Sequence, residues 1–416
     1  MKIVQLPQLY YPSVGGVQRV VETLSKGLVA AGHHVTVVTS NLISDEQLWK
    51  KYYSRMPDQE IRAGQAIVDG IDVVRYPVST IIQKVLYEWP EHLLNKAGLH
   101  QWSELPAYRY FRKQPFCPRI IHGVIALKPD LMVASNLPSP FSYYCYLINK
   151  LTGIPYVVVP TLHVEAEWTA DPVAMKILAR ANHLIALTTF ERDILRSVGL
   201  PQSKIDVIGH GLDVVQSDDG PSLTNNHLPQ ELPQVTYVGR LTKNKGIDTL
   251  IRAMPQVWKK MPDARLVLAG ATNGKSEAYL NHELERLETA DRCKVSVIGD
   301  FGEAEKSSIF SSCSMVAVPS IDEAFGLSYL EAWSYRKPVI AVRDSAPASF
   351  IEHGKDGLLV RVRDPQDVST AILSLLEDDA LRIRLGNNGY EKLLSDFSQE
   401  QMINRTIKVY EKALSA

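Results

Sequence analysis

The sequence predicts an α/β protein made of two doubly wound domains, and three observations support that prediction. The chain has 416 residues, which is more than one hydrophobic core usually supports, so two domains of about 200 residues are expected. Short apolar strands alternate with amphipathic helices, a pattern typical of parallel sheets covered by helices on both faces. The alternation breaks near Gly209 and then restarts, which assigns 1–209 to the first domain and 210–398 to the second.

The first block begins with the strand Lys2–Leu6 and the helix Val17–Ala31, which Gly32 ends. The further strands predicted in this block are His34–Thr39, Asp72–Tyr76, Leu131–Ala134, Tyr156–Pro160, His183–Leu187 and Lys204–Ile208. The further helices predicted there are Phe141–Thr152, Ala174–Ala181 and Thr189–Val198. Residues 217–233, rich in Ser, Asp, Asn, Gly and Pro, are predicted to form an exposed connection.

The second block repeats the pattern. Its predicted strands are Gln234–Val238, Ala264–Ala269, Val295–Ile298, Met315–Val318, Pro338–Ala341 and Gly357–Val360. Its predicted helices are Gly246–Lys260, Glu277–Glu288, Glu303–Ser311 and Pro365–Glu377, followed by polar helical sequence to the end. Ligands of doubly wound sheets bind beyond the carboxyl ends of the strands, where the strand order switches. Two such domains facing each other would bring both sets of loops to one cleft.

Composition excludes several classes of protein. The formal net charge of −1 offers no electrostatic case for binding nucleic acid. No run approaches 18 apolar residues, and the N-terminus lacks the apolar core of a signal peptide, so neither a spanning helix nor secretion is expected. The four cysteines are scattered without a CxxC pair, which argues against structural zinc and disulfides and favours a cytoplasmic location.

The most informative segment is VPSIDEAFGLSYLEAW, in which Glu323 and Glu331 stand eight positions apart. An apolar strand precedes it, and helical spacing begins after Gly326, so Glu323 is expected in a loop and Glu331 about one turn into a helix. The free N–H groups of a helix start favour an anion. An anion site flanked by two carboxylates suits a nucleotide-sugar, although two solvated charges would give the same spacing.

A basic loop opens the second block. Strand Gln234–Val238 runs into Gly239 and Arg240, and Lys245 follows just before a helix. Arginine can bind two phosphate oxygens at once, and lysine supplies a mobile point charge, so the pair is suited to a diphosphate. The alternative is an ordinary solvated basic loop.

Two common nucleotide-binding motifs are not present in the sequence. No G-x-G-x-x-G follows the first strand, so the dinucleotide fingerprint is absent. The segment GATNGKS has one residue too few between its glycines to form a P-loop, so ATP binding is not predicted there.

Three further loops carry candidates. Gly15 and Gly16 precede the first helix and would let a ligand approach its N–H groups, unless they form a plain turn. His163 follows a strand, where it could bind a sugar hydroxyl or move a proton, or could simply be exposed. His210 and Gly211 stand at the junction between the blocks, where they could also act only as a hinge.

With these motifs in place, the chain resembles the retaining, nucleotide-sugar-dependent glycosyltransferases of family 4 (group 1), which have the GT-B fold. The resemblance covers nearly the whole chain and is carried in order by YYPSVGGVQRVVETLSKGLVAAGHHVTVVT, VGRLTKNKG and VPSIDEAFGLSYLEAWSYRKPVIAV. It implies two Rossmann-like domains facing an interdomain cleft, an N-terminal acceptor-binding domain and a C-terminal donor-binding domain. It also implies that the final helix, about 399–416, packs back on the first domain.

The resemblance implies roles for the candidates. Arg240 and Lys245, beside Gly239, would bind the donor diphosphate, while Glu323 would contact the donor sugar and Glu331 the ribose. The helix-start amides that would touch phosphate and sugar are those of Phe325, Gly326 and Leu327. The active-site histidine would be His163, and the loop bordering the diphosphate and acceptor would be that of Gly15 and Gly16.

The sequence departs from the family pattern at three positions. His210 stands where the family usually has Asn, Ala324 where it has Gly, and Arg336 where a Gly is expected. None of these changes removes a charged donor-binding group.

The expected reaction transfers a hexosyl unit from a nucleoside-diphosphate sugar, with UDP favoured over GDP, to a glycan or lipid-linked acceptor, with retention of configuration. No cofactor or metal is expected, because no DxD-type acidic pair stands at a strand end. An epimerase of the same fold, a phosphorylase and a non-catalytic nucleotide-sugar-binding protein are the alternatives. The base, the sugar, the acceptor and the oligomeric state are not readable from the sequence.

Residues 76–119 are the least family-like part of the chain. They combine aromatic side chains such as Trp89 and Trp102 with basic ones such as Arg109 and Arg112. Such a mixture could bind a glycan, an anionic lipid-linked acceptor or the inner membrane face. A helical insertion with a solvated basic face is the favoured interpretation.

Overall fold

The computed structural model describes residues 1–13, 15–42, 61–79, 96, 115–162, 171–213, 232–272, 274–299 and 301–415. The chain divides into two compact units. The N-terminal unit comprises Met1–Leu187, Glu191–Ile208 and Met402–Ala416, and the C-terminal unit comprises Thr188–Phe190 and Gly209–Gln401. No helix in the described ranges is both long and apolar enough to cross a bilayer.

The N-terminal unit contains an eight-stranded sheet in the order β3-β4-β2-β1-β5-β6-β7-β8. Its strands are β1 Lys2–Leu6, β2 His34–Ser40, β3 Gly64–Val68, β4 Ile71–Tyr76, β5 Leu131–Ser135, β6 Tyr156–Val159, β7 His183–Ala186 and β8 Ile205–Val207. Every neighbouring pair is parallel except β3 with β4. The strands predicted for this block are confirmed, with ends that agree or differ by one residue.

Strand β3 was not predicted, and its antiparallel pairing corrects the expectation of a purely parallel sheet. Val68 pairs with Ile71, so the hairpin loop consists of Asp69 and Gly70. Both residues have positive φ, 49° and 79°. Asp-Gly between apolar residues is the sequence signal of such a two-residue turn, so IVDGID contained the evidence for this hairpin.

The helices associated with this block are α1 Gly16–Ala30, α2 Arg119–Leu127, α3 Pro140–Thr152, α4 Pro172–Arg180, α5 Thr189–Ser197 and the final α13 Gln399–Ser415. Helix α2 was not predicted. Helix α13 buries Met402, Val409 and Tyr410 in a core that also contains Ile3 and Leu28. The end of the chain therefore contributes to the hydrophobic core of the N-terminal unit.

The C-terminal unit contains a six-stranded sheet, all parallel, in the order β11-β10-β9-β12-β13-β14. Its strands are β9 Gln234–Val238, β10 Arg265–Ala269, β11 Val295–Ile298, β12 Met315–Ala317, β13 Val339–Val342 and β14 Gly357–Val360. Its helices are α6 Ile247–Lys260, α7 Gly274–Glu285, α8 Thr289–Arg292, α9 Glu303–Ser312, α10 Leu327–Ser334, α11 Pro365–Glu377 and α12 Asp379–Asp396. The helix predicted at Glu277–Glu288 begins three residues earlier and ends at Glu285, before the short α8.

Candidate active site

The strand order of the C-terminal sheet places its switch point between β9 and β12. Strands β9, β10 and β11 follow one another toward one edge, whereas β12 lies on the other side of β9. The loops that leave β9 and β12 at their carboxyl ends are therefore neighbours, and such a position is where doubly wound sheets bind ligands. The basic loop follows β9, and the first motif glutamate follows β12.

Lys245 and Glu323 meet at this switch point. The Lys245 Nζ donates to Glu323 Oε2 at 2.8 Å and to the carbonyl of Asp322 at 3.1 Å. The two side chains retain only 9% and 17% of their exposure, so the ion pair is largely shielded from water. An ammonium has three N–H donors, and the described residues engage two of them. The third remains for a ligand.

The two loops are joined by close backbone contacts. The carbonyl of Asn244 accepts a hydrogen bond from the Ile321 amide at 3.0 Å. Gly246 has φ of +73°, and a Cβ there would lie 1.9 Å from the Pro319 carbonyl oxygen. Only glycine fits both requirements, so the residue after Lys245 determines how closely the loops approach.

Arg240 lies on the exposed side of the same loop. The Tyr237 hydroxyl donates to the Arg240 carbonyl at 2.9 Å and so orients its backbone. Gly270, which follows β10, packs against this loop. A Cβ on Gly270 would lie 1.8 Å from the Gly239 carbonyl oxygen. Within the described ranges, the Arg240 guanidinium is exposed and has no hydrogen bond or ion pair. Its charge is therefore available to an anion.

Helix α10 begins at Leu327, four residues after Glu323. Gly326 is its N-cap, with φ of +93°, and no described side chain caps the helix start. Phe325 is buried, and its ring stacks on Phe350 with centroids 4.9 Å apart. The amides of Gly326 and Leu327 thus belong to an uncapped helix start that rests on packed aromatic rings, and free N–H groups at a helix start favour an anion.

Glu331 lies in the second turn of α10 and is buried. Its carboxylate forms an ion pair with Lys306 of α9. Each carboxylate of the motif therefore has its own ammonium: Lys245 for Glu323, and Lys306 for Glu331. Lys306 was not predicted from the sequence, because no spacing rule connects residues on two different helices.

Two tyrosines beside Glu323 are held neutral. Burial, reinforced by the Glu323 carboxylate, raises the pKa of Tyr237 and of Tyr329 well above the ordinary value. The Tyr329 hydroxyl donates to the Val318 carbonyl at 2.8 Å. Both hydroxyls thus serve as fixed donors to the backbone of the switch-point loops, a role that the sequence did not reveal.

His210 packs against the same aromatic base. Its ring meets Phe325 edge to face, with centroids 4.8 Å apart. Burial lowers the pKa of His210 to about 4, so the imidazole is neutral at neutral pH. The departure from the family Asn therefore introduces an aromatic contact and no positive charge.

The remaining candidates belong to the other unit or lie outside the described residues. Gly15 and Gly16 lie at the start of α1 in the N-terminal unit, where no described side chain caps the helix. His163 lies outside the described residues, as do 80–95 and 97–114 of the basic and aromatic segment. Within the part of the chain that the structure describes, no cluster of three or more His, Cys, Asp or Glu residues is placed to hold a metal ion.

Two protein-family models match the chain. The model described as "Glycosyl transferase 4-like domain" matches residues 15–211, and the model described as "Glycosyl transferases group 1" matches residues 223–392. A D-inositol 3-phosphate glycosyltransferase of Corynebacterium kroppenstedtii is 30% identical over 250 residues. That alignment covers 58% of this chain and 55% of the relative, so the chain spans about half the length of that protein.

Solved structures show the same fold. The sucrose-phosphate synthase of Thermosynechococcus elongatus has a TM-score of 0.75, with 19% identity and 100% of both chains covered. Anabaena Alr3699/HepE, in a complex with UDP and glucose, has a TM-score of 0.74, with 18% identity and 99% of both chains covered. Together with the two family models, these likenesses establish the fold as GT-B. The chain belongs to the group 1, family 4-like glycosyltransferases.

Proposed function

We propose that the protein is a glycosyltransferase that moves a hexosyl unit from a nucleoside-diphosphate sugar to an acceptor hydroxyl with retention of configuration. The observation that carries the proposal is the shielded Lys245–Glu323 ion pair at the switch point, beside the exposed Arg240. This arrangement places a fixed carboxylate next to cations with unused hydrogen-bond donors. A donor with a diphosphate and neighbouring hydroxyls matches both.

The cationic part of the site is suited to the diphosphate. The Arg240 guanidinium can bind two phosphate oxygens, and Lys245 retains one N–H donor. The amides at the start of α10, which no described side chain caps, add a third source of positive potential. These groups would stabilise the negative charge that develops on the leaving diphosphate. We propose that no metal ion is needed for that step.

The carboxylates are suited to the two sugars of the donor. Glu323, held by Lys245, would accept hydrogen bonds from the transferred hexose, and Glu331, held by Lys306, from the ribose. Carboxylates accept from hydroxyls strongly, and an ion pair that fixes each one reduces the ordering cost on binding. The donor would thus be recognised at both ends and at its centre.

Retention is expected through same-face substitution. The acceptor hydroxyl would form the new C–O bond on the face from which the diphosphate leaves, and its proton would pass to a leaving-group oxygen. His163 would lie near the sugar, and Gly15 and Gly16 would border the diphosphate and the acceptor. These three assignments rest on the family resemblance.

The donor and the acceptor are proposed by class. UDP-sugars are favoured, in keeping with the UDP and glucose bound by Alr3699/HepE. A glycan or lipid-linked acceptor of a cell-surface polymer or glycolipid is favoured, with the reaction at the cytoplasmic side. Contact of residues 76–119 with the inner membrane face is the alternative to a solvated basic face. Sedimentation with anionic liposomes at low salt tests that contact, since an unbound protein would reject it.

A thermal-shift panel of UDP, GDP and ADP tests donor recognition. A nucleotide present at about 100 times its dissociation constant should stabilise the fold by roughly 2.7 kcal/mol. We expect one nucleoside diphosphate to stabilise the protein far more than the others. If none does, the proposed donor site is wrong.

Product analysis then separates the alternatives. The protein is incubated with candidate UDP- and GDP-sugars, with and without glycan acceptors, and the products are resolved by mass spectrometry and NMR. Transfer that requires acceptor supports the proposal. A changed sugar configuration without acceptor would show an epimerase, a sugar phosphate formed from inorganic phosphate would show a phosphorylase, and binding without turnover would show a binding protein.

A further inference from the structure

Lys306 lies outside the motifs that identify this chain, yet its position places it against a motif residue. It lies in the first turns of α9, the crossover helix that leads into β12, whereas Glu331 lies on α10, the helix that leaves β12. The two side chains form an ion pair, and they are 14% and 8% exposed. A glutamate of the donor motif is therefore held by a residue that lies outside every motif.

The packing of the two helices makes this ion pair part of a fixed framework. The Tyr335 hydroxyl donates to Ser307 Oγ at 2.9 Å, and the Tyr335 ring stacks on Phe310 with centroids 5.7 Å apart. These contacts attach Tyr335, the residue that follows α10, to α9. Together with the Glu331–Lys306 pair they run in the same order along both segments. The start of α9, with Lys306, therefore lies beside the start of α10, at the carboxyl edge of the sheet.

We propose that Lys306 is a positioning residue that orients the Glu331 carboxylate toward the ribose hydroxyls and so determines whether the site distinguishes ribonucleotides from deoxyribonucleotides. This inference rests on the proposed function, which gives Glu331 the ribose. A nearly buried carboxylate needs a cation to offset its loss of hydration. Holding it from the side of α9 fixes its rotamer, and a fixed acceptor discriminates better than a mobile one.

The test compares UDP with 2′-deoxy-UDP, and GDP with 2′-deoxy-GDP, by calorimetric titration. For the base that binds, the wild-type protein should prefer the ribonucleotide by about tenfold or more, as expected for a hydrogen bond to a charged acceptor. Lys306→Met should reduce that preference to about threefold or less. Lys306→Arg, which keeps the charge, should retain most of the preference.

Lys306→Met leaves a carboxylate with its ion pair removed and lowers stability, so two further variants keep the test decisive. Lys306→Met/Glu331→Gln removes both charges, and we expect it to regain stability without regaining discrimination. Lys392→Met breaks a different shielded pair, that of Lys392 with Asp356, whose side chains are 17% and 1% exposed. It should lower stability and leave the ribose preference unchanged.

Different results would reject the proposed function and the role of Lys306. If the wild type binds no nucleoside diphosphate, the proposed function is wrong. If the wild type prefers the ribonucleotide and Lys306→Met retains that preference in full, the role of Lys306 is wrong while the function stands. An equal loss of preference in Lys392→Met would likewise show that the effect follows from lost stability and overturn the inference.

Discussion

The two sheets of this protein carry different chemistry at the same topological position. At the switch between β9 and β12, the C-terminal unit holds the Lys245–Glu323 ion pair. At the switch between β1 and β5, the N-terminal unit presents amides and hydroxyls: Ser139 Oγ donates to Gln8 Oε1 at 3.4 Å, and the buried Asn136 Oδ1 has no partner among the described residues. Charged groups suit a diphosphate, and neutral polar groups suit a hydroxyl-bearing acceptor.

In such a pair of sheets, fold position determines where a ligand can bind, and side-chain charge determines which kind of ligand suits each position. Both sheets are doubly wound, and in both a glycine-containing loop leaves the first strand of the unit. What differs is the set of side chains that follows each strand. Substitutions that remove charge in one unit and neutral polarity in the other should therefore affect different steps.

The largest expected effect follows from breaking the charged pair. Lys245→Met leaves the shielded Glu323 carboxylate uncompensated and removes a cation from the leaving group. We expect transfer to slow by about 10³-fold and stability to fall by about 3 kcal/mol, measured by single-turnover assays and chemical denaturation. In Lys245→Met/Glu323→Gln most of the stability should return while activity stays lost. Recovery of activity there would contradict the proposed role of the pair.

The next expected effect is on stability, and it tests the close approach of the loops that follow β9 and β12. Gly246 and Gly153 both have φ near +75°, at +73° and +77°, but only at Gly246 would a Cβ meet a backbone atom, at 1.9 Å. We expect Gly246→Ala to cost about 3 kcal/mol, from backbone strain plus overpacking. Gly153→Ala in the N-terminal unit should cost about 1 kcal/mol. Equal losses in denaturation experiments would show that the contact with Pro319 contributes nothing.

His210 should make the stability of the protein depend on pH, and this effect is of intermediate size. Because burial lowers its pKa to about 4 from an ordinary value of 6.5, the unfolded state binds the proton more readily between these two values. The stabilisation is therefore complete above about pH 6.5 and is lost as the pH falls toward 4, by about 1–3 kcal/mol. The thermal midpoint of the wild type should fall more steeply over this range than that of His210→Asn. Parallel curves would show that His210 is not held neutral.

The smallest expected effect is on acceptor binding at the β1–β5 switch point, which carries neutral polar side chains. Asn136 has φ of 71°, so Asn136→Gly keeps the backbone unstrained and removes only the amide. If this amide receives an acceptor hydroxyl, the acceptor KM should rise about three- to tenfold while the dissociation constant of the nucleoside diphosphate stays constant. A change in nucleotide affinity instead would contradict the proposal that the N-terminal unit binds the acceptor and the C-terminal unit binds the nucleotide.

Much of the fold follows from periodicity, because buried parallel strands appear as short apolar runs whatever surrounds them. Val295–Ile298 and Gly357–Val360 were predicted to the residue. Helix α2 was missed because it follows a segment without clear periodicity, and β3 because its side chains are mostly exposed. Exposure removes the alternation that identifies a strand.

The site is only partly readable, for a different reason. Motif spacing locates Arg240, Lys245, Glu323 and Glu331 because their backbones follow strand ends or open helices. It cannot tell which cation each carboxylate meets, because those contacts join loops and helices far apart in the sequence. Only the structure therefore shows that Glu331 pairs with Lys306. It likewise shows that the Asp322 carbonyl accepts a hydrogen bond from Lys245.

Calorimetric titration of Arg240→Ala and the wild type with UDP and UMP, repeated with the guanine pair if GDP is the ligand that binds, tests the central claim most directly. Arg286→Ala serves as the control, because the Arg286 side chain is 56% exposed and its 3.9 Å contact with Glu283 is secondary to the 2.7 Å contact of Glu283 with Arg252. If Arg240 binds the diphosphate, the variant should lose about tenfold or more in affinity for the nucleoside diphosphate and much less for the monophosphate. Unchanged affinity for the diphosphate, or equal losses for both nucleotides, would contradict a diphosphate site at the β9–β12 switch point.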